Sequence, residues 1–171
     1  MKFTLGEFVS VYTDILSDSF GIGFILGSNN DHLLLQSIDV YGQIYGLTIY
    51  NIKEIVKIEK DTPYSHKILK LMQLKGVKKP EINIATSKNL LLWVLEKAKN
   101  ENEIVNVQLQ QSHQCDITGF LKSIDSTSCE ILQIDNLGNA VGSVYFLLED
   151  ISSFHVGGIE NQDLKLLYFN D

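Results

Sequence analysis

Short runs of apolar residues alternating with small or polar ones, broken every six to ten positions by glycine, asparagine or aspartate, set the pattern of this chain. Phe8-Val9-Ser10-Val11-Tyr12 mixes β-branched and aromatic residues and predicts a strand. Phe20, Ile22, Phe24 and Leu26 alternate with small residues and predict a second strand with one buried face, turned by Gly27 to Asp31. Leu33 to Val40 is apolar enough for a third strand covered on both faces in places. Tyr41-Gly42-Gln43 turns into a fourth strand from Ile44 to Ile52, and Gly46 inside it marks a bulge or sharp bend. Lys53-Glu54 reverses the chain before a fifth strand, Ile55 to Ile58. Ile68 to Met72 reads as an extra strand after this unit.

The same pattern then returns. Adding 96 to a residue number carries Gly23-Phe24 onto Gly119-Phe120, Ile38-Asp39 onto Ile134-Asp135, Gly42 onto Gly138, Gly46 onto Gly142 and Ile55 onto Ile151, without a gap. The register extends outward, with Glu7, Val9 and Val11 on Glu103, Val105 and Val107, and Leu71 on Leu167. Leu164 to Tyr168 is accordingly read as a second extra strand. What repeats is glycine and apolar residues, so the duplication describes architecture and not chemistry.

Between the halves, Gln73 to Pro80 is a polar, lysine-bearing connection, and Ile82 and Ile84 suggest a short extended piece. Thr86-Ser87 offers N-cap oxygens to a helix from about Lys88 to Lys99, whose apolar face is Leu90, Leu91, Val94, Leu95 and Ala98. Lys97 and Lys99 lie at its C-terminal end, where the helix dipole favours cations. Trp93 falls off the apolar face and is expected to pack against the first half. The domain boundary is placed between residues 75 and 76, giving a first unit of 1–75 and a second of 76–171.

Five short strands with a bent middle predict a small barrel, since coiling a sheet on itself lets few strands bury a core. The order of strand, Gly-x-hydrophobic, polar turn, long bent strand and closing strand resembles the Sm-like (LSm) family of SH3-like barrels. The resemblance covers nearly the whole chain as two tandem copies. It implies a mainly β fold of two Sm-like five-stranded barrels with one connecting helix, placed before the second barrel as the family's N-terminal helix is. The family's first motif runs Gly-x-hydrophobic, an acidic residue six after the glycine, and an asparagine four later that contacts RNA. Gly23 and Ile25, and Gly119 and Leu121, fit its start. Asn29 and Asp125 hold the acidic position, but Leu33 and Cys129 hold the asparagine position. The second motif's Arg-Gly pair is replaced by Asn51-Ile52 and Leu147-Leu148. The residues that would stack and pair a single-stranded base are absent from both copies.

Composition narrows the classes further. Hydrophobic residues at 44% and charged residues at 20% describe a globular chain and exclude a disordered one. Each half is small, and domains of this size bury only about 60% of their unfolded surface, so the halves are expected to need each other or a partner. The net charge of −7 repels phosphate backbones and anionic membranes and favours a basic partner; Lys75, Lys78 and Lys79 form the densest basic run. No apolar run approaches the ~20 residues of a membrane span, and the first residues break into polar ones before a signal-peptide core could form. Two cysteines are too few for a disulfide framework, and a cytoplasmic setting is expected.

Candidate chemistry is thin. His113, Cys115, Cys129 and His155 have the chemistry of zinc ligands, but His-x-Cys is not a structural zinc spacing and no Cys-x-x-Cys accompanies it. A nucleophilic Cys115 or Cys129 lacks an orienting acid, and the first half has Ser19 and Leu33 at those positions. Asp39 and Asp135, the repeated carboxylates, precede glycine-containing reversals and are expected to accept backbone hydrogen bonds there. Gly21-x-Gly23 lacks the third glycine and helix of a phosphate loop, and Gly157-Gly158 lies in a loop near the end. No catalytic, cofactor or metal residue is therefore assigned. The expectation is a non-enzymatic binding or assembly module that engages a protein partner or itself. The alternatives are an RNA-binding Sm-like protein in a pseudo-hexameric ring of three chains, and a small metal-dependent enzyme using the second half's His and Cys.

Overall fold

A computed structural model describes residues 2–14, 19–81, 89–110 and 117–170. The chain divides into two compact units, Met1–Leu90 and Leu91–Asp171.

Unit 1 holds strands β1 (Phe8–Tyr12), β2 (Gly21–Ser28), β3 (His32–Ile38), β4 (Ile44–Asn51) and β5 (Lys57–Glu59), hydrogen-bonded antiparallel in the order β5-β1-β2-β3-β4. A 3-10 turn, Ile52–Glu54, makes the reversal expected at Lys53-Glu54, with the Asn51 side chain accepting from Lys53 N. Unit 2 opens with helix α2 (Leu90–Asn100) and repeats the arrangement as β6 (Ile104–Leu109), β7 (Ile117–Ile124), β8 (Ser128–Ile134), β9 (Ala140–Leu147) and β10 (Ile151–Val156), in the order β10-β6-β7-β8-β9. The protein is mainly β, and its five expected strands per half are present. Closed barrels are not: among the described residues no ladder joins β4 to β5 in unit 1 or β9 to β10 in unit 2.

A helix covers the core where closure was expected. The extra strands read at Ile68 to Met72 and Leu164 to Tyr168 are instead the middles of helices α1 (Pro63–Leu74) and α3 (Ile159–Asn170). Helix α1 starts because the Thr62 hydroxyl accepts from Ser65 N at 3.1 Å and Pro63 occupies the first turn, where its missing N–H costs nothing. It stops at Gly76, which turns at φ +68 so that Val77 N can donate to Met72 O at 2.9 Å. Its inner face lays Ile68 and Met72 on Ile22, Phe24 and Ile38. In unit 2, Leu164 and Tyr168 of α3, 96 residues on from Ile68 and Met72, lie on Ile104, Phe120 and Ile134, the last two being the counterparts of Phe24 and Ile38.

The opposite face of the unit 1 sheet buries Val9, Val11, Ile25, Leu33, Leu35, Tyr50 and Ile55 as a second cluster. Their counterparts Val105, Val107, Leu121, Cys129, Ile131, Phe146 and Ile151 are all buried too. The sharp bending that lets one sheet bury both faces comes from paired bulges. Register slips between Ile25 and Gly27 and again between Leu121 and Ser123, and opposite Gly46 (φ +136) and Gly142 (φ +133), as the glycines predicted. Gly23 and Gly119 have a different cause: a Cβ there would stand 2.2 Å from Gln36 O and 1.9 Å from Leu132 O, so the motif glycine is where β3 and β8 press closest.

Helix α2 carries the predicted apolar face, with Leu90, Leu91, Val94, Leu95 and Ala98 buried. Trp93 is half-buried. The Thr86-Ser87 cap and the piece at Ile82 and Ile84 lie outside the described residues. No helix among the described residues is long and apolar enough to cross a membrane.

Candidate interaction surface

The two units differ most where β7, β8 and β9 turn one face outward. At four positions where unit 1 has Leu26, Leu34, Leu47 and Ile49, unit 2 has Lys122, Glu130, Ser143 and Tyr145. Register places Tyr145 opposite Glu130 and Ser143 opposite Leu132, so these side chains share one face of the sheet. Lys122 Nζ stands 3.1 Å from Glu130 Oε1, and the Ser123 hydroxyl donates to Glu130 Oε2 at 3.4 Å. The Ser143 hydroxyl, Lys122 and the Tyr145 hydroxyl bonded to it hold the Glu130 carboxyl below its ordinary range, and the same bond raises the Tyr145 phenol.

β9 is also the last strand of its unit. Seven of its eight residues pair with β8 along one edge, Val141 being skipped at the bulge beside Gly142, and no described strand of unit 2 pairs with the other. Val141 at 60%, Tyr145 at 70% and Leu147 at 45% exposure stand along it. An exposed, apolar, eight-residue edge is a template for another strand. β5, at the end of unit 1's order, also has one edge that no described strand of unit 1 pairs with; it is three residues long, and its Lys57 and Glu59 are paired with each other at 2.9 Å.

The motif positions turn out to be structural. Asn29 Oδ1 accepts from the backbone N–H of Asp31 (2.9 Å) and His32 (2.7 Å), and Asp125 Oδ1 accepts from those of Thr127 and Ser128, both at 2.8 Å. The Ser128 hydroxyl and these two backbone N–H groups hold the Asp125 carboxyl down at about 2. Asp39 and Asp135 do the turn work expected of them, accepting from Tyr41 N and Gln43 N and from Leu137 N and Asn139 N at 2.8 to 2.9 Å. Leu33 and Cys129 are buried core residues, and burial pushes the Cys129 thiol up to about 12, which removes it as a nucleophile at neutral pH. Asn51 caps its turn, and the backbone N–H groups of Ile52 and Leu148 donate to Asp31 O and Thr127 O, both at 2.8 Å.

Each unit has a shallow cleft beside its motif turn. One of about 470 Å³ is lined by Lys2, Phe3, Ser28, Asn29, Asn30 and Ile52; the other, of about 530 Å³, by Leu92, Glu96, Lys99, Asn100, Ile124, Asp125 and Ser126. The turn oxygens at their rims are already committed to the backbone. Among the described residues no three His, Cys, Asp or Glu side chains gather as a metal would need; His113 and Cys115 lie outside them. His155 is not near a zinc set but contacts the carbonyl of Gly157 at 3.2 Å, and burial lowers its imidazole to about 4.

No family model matches this chain, and no curated protein or solved structure matches it either. The edge of β9 was missed in the sequence, although a signal was present: Lys122 and Glu130 stand where the first half has leucines, which marks the second half's face as open to water.

Proposed function

We propose that the chain is a non-enzymatic protein-binding and assembly module built of two Sm-like units, and that it pairs with a second copy of itself through the outer edge of β9. The observation that carries this is the unpaired eight-residue edge with Val141, Tyr145 and Leu147 exposed along it. The family reading is supported by the repeated order of strands, the close approach at Gly23 and Gly119 and the paired bulges. Leu33 and Cys129 in the core, at the positions where the family's RNA-binding asparagine would stand, argue against the RNA-ring alternative.

A second copy is the occupant because the chain carries another free edge, β5, at the end of unit 1's order. A contact between β9 of one chain and β5 of the next joins unlike surfaces, so it repeats head to tail until a ring closes. The net charge of −7 opposes such contacts, and salt screens it, so association should strengthen from low to moderate salt.

Light scattering on a sizing column tests this. The expected result is a closed oligomer of the wild type, a trimer of chains if six units complete the ring, and a monomer for Val141→Lys/Tyr145→Lys, whose charges blunt the edge. A wild type that stays monomeric at both salts rejects the reading.

A further inference from the structure

Beside each of the edges of β5 and β9, a tyrosine, a glutamate and a lysine are grouped on the face of the sheet that carries the helix. At β5 the Tyr12 hydroxyl donates to Glu59 Oε2 at 2.7 Å, and Lys57 Nζ lies 2.9 Å from Glu59 Oε1 and 4.0 Å from the centre of the Tyr12 ring. The Tyr12 ring meets Phe20, which meets Tyr64 of α1, so the group lies on the helix side. At β9 the group is Tyr145, Glu130 and Lys122, and Lys122 Nζ also donates to the Ser143 hydroxyl at 3.4 Å. Leu132, opposite Ser143, packs on the cluster under α3, so this group too lies on the helix side. The other face of both edges is apolar. Ile58 lies on the cluster of Val9 and Val11, and on β9 Phe146 is buried and Val144 half-buried.

The counterparts of these charged residues are neutral. Ser153 and His155 of β10 stand where β5 has Lys57 and Glu59, and Leu26 and Leu34 stand where unit 2 has Lys122 and Glu130. Laying β5 of one copy along β9 of another, with the apolar side chains on one face, leaves Ile58 to meet Val144 or Phe146, since the regular strand breaks at the bulge beside Gly142. With Ile58 opposite Val144 and the strands antiparallel, Lys57 comes beside Tyr145 and Glu130, and Glu59 comes beside Ser143 and Lys122. Each charge then meets its opposite. Run parallel at that position, or shifted antiparallel to put Ile58 opposite Phe146, Glu59 comes beside Tyr145 and Glu130, and like charges face each other. The shifted parallel arrangement leaves Glu59 beside Leu147, with no cation.

We propose that attraction of Lys57 to Glu130 and of Glu59 to Lys122 across two copies fixes their joint as antiparallel, with Glu59 opposite Ser143, Ile58 opposite Val144 and Lys57 opposite Tyr145. The inference rests on the reading of β9 and β5 as the contact between copies, and adds the direction, the register and the residues that select them. Exposed ion pairs contribute little affinity. The strength of the joint comes from its backbone hydrogen bonds and its apolar face, while the charges act against the wrong arrangements. A slip of one residue is excluded separately, because it would turn Ile58 onto the charged face.

Two experiments on the full chain test this. In the first, single cysteine variants are mixed in pairs in a Cys115→Ser background, where the remaining Cys129 is buried, and disulfide-linked chains are followed on a non-reducing gel. Residues directly opposite can be bridged and those two positions off cannot, so Glu59→Cys with Ser143→Cys should link about five times faster than Glu59→Cys with Tyr145→Cys. Lys57, left in place, still selects the register. In the second, Lys57→Glu/Glu59→Lys, which keeps an ion pair within β5, should weaken association several-fold by light scattering, and adding Lys122→Glu/Glu130→Lys should restore it. Equal or reversed linking rates, association unchanged by the β5 reversal, or no restoration in a folded fourfold variant overturns the proposal; the cysteine pairs decide if that variant does not fold. An oligomer that Val141→Lys/Tyr145→Lys abolishes, but that fails these tests, keeps the β9 contact and removes only its register. A monomeric wild type removes both.

Discussion

A Cβ placed on Gly42 would stand 2.9 Å from the Cβ of Leu71, so the turn between β3 and β4 is pressed against the helix that follows the sheet. The same relation joins Gly138 and Leu167 at 2.7 Å. Both glycines also turn through left-handed backbone, at φ +76 and +93. The repeat therefore preserves a joint between turn and helix as well as a strand pattern.

Gly42→Ala and Gly138→Ala each meet two obstacles, a strained φ and contact with helix backbone, since Met72 N lies 2.9 Å from the added atom in the first case and Tyr168 N 3.1 Å in the second. Gly76→Ala meets one: its φ is +68, but nothing lies within 4 Å. Strain alone is worth roughly 1 kcal/mol, so Gly76→Ala should lose about that much and the other two about 2 to 3 kcal/mol. Urea unfolding gives the order. Equal losses at Gly42 and Gly76 would mean that the helix yields freely and the joint is not rigid.

Asp125 and Asn29 do one job with different charge. A carboxyl held at about 2, against an ordinary 3.8, contributes stability that is present above the ordinary value and is lost as pH falls through the folded one. Asp125→Asn should keep the turn, because Asn29 makes the same pair of backbone contacts in unit 1, and should flatten the change in unfolding midpoint between pH 4 and pH 2. Asp125→Ala should lose both. If the asparagine variant were as unstable as the alanine variant at pH 7, the turn would depend on charge and the likeness between the two units would not extend to it.

The strands were legible because each has alternation or a β-rich run bounded by turn residues, and Gly46 announced its bulge by recurring at Gly142. The helices α1 and α3 were not read, because Ile68-Leu69-Lys70-Leu71-Met72 looks like a strand if taken alone. Taken from Thr62, the same stretch begins with a cap and a proline, places Ser65, Ile68 and Met72 on one helical face, and ends at Gly76, which is a complete helix signature. Closure was misjudged for the same reason, since a covering helix leaves the ends of a bent sheet no need to meet. The candidate surfaces were less legible still. Exposure of Tyr145 depends on what packs over a face, and the repeat reports it only where the two halves differ in polarity.

His155 makes unit 2 sensitive to mild acid. It lies on β10 opposite Asn106 of β6, with Nε2 3.2 Å from Gly157 O and Glu160 of α3 near enough to oppose the effect of burial. Burial dominates and lowers the imidazole to about 4 from an ordinary 6.5. A base with a lowered folded pKa is neutral in the native state while the unfolded chain takes up a proton. Stability is therefore full above pH 6.5, falls as pH drops from 6.5 to 4, and is not lost further through this group below 4. The full loss is on the order of 3 kcal/mol. His155→Gln keeps a side chain that can donate to Gly157 O and has no proton to gain, so its urea midpoint should change little between pH 7 and pH 4.5 while that of the wild type falls. Parallel midpoints in the two proteins over that range would mean that solvent reaches the ring and that the acid response comes from elsewhere.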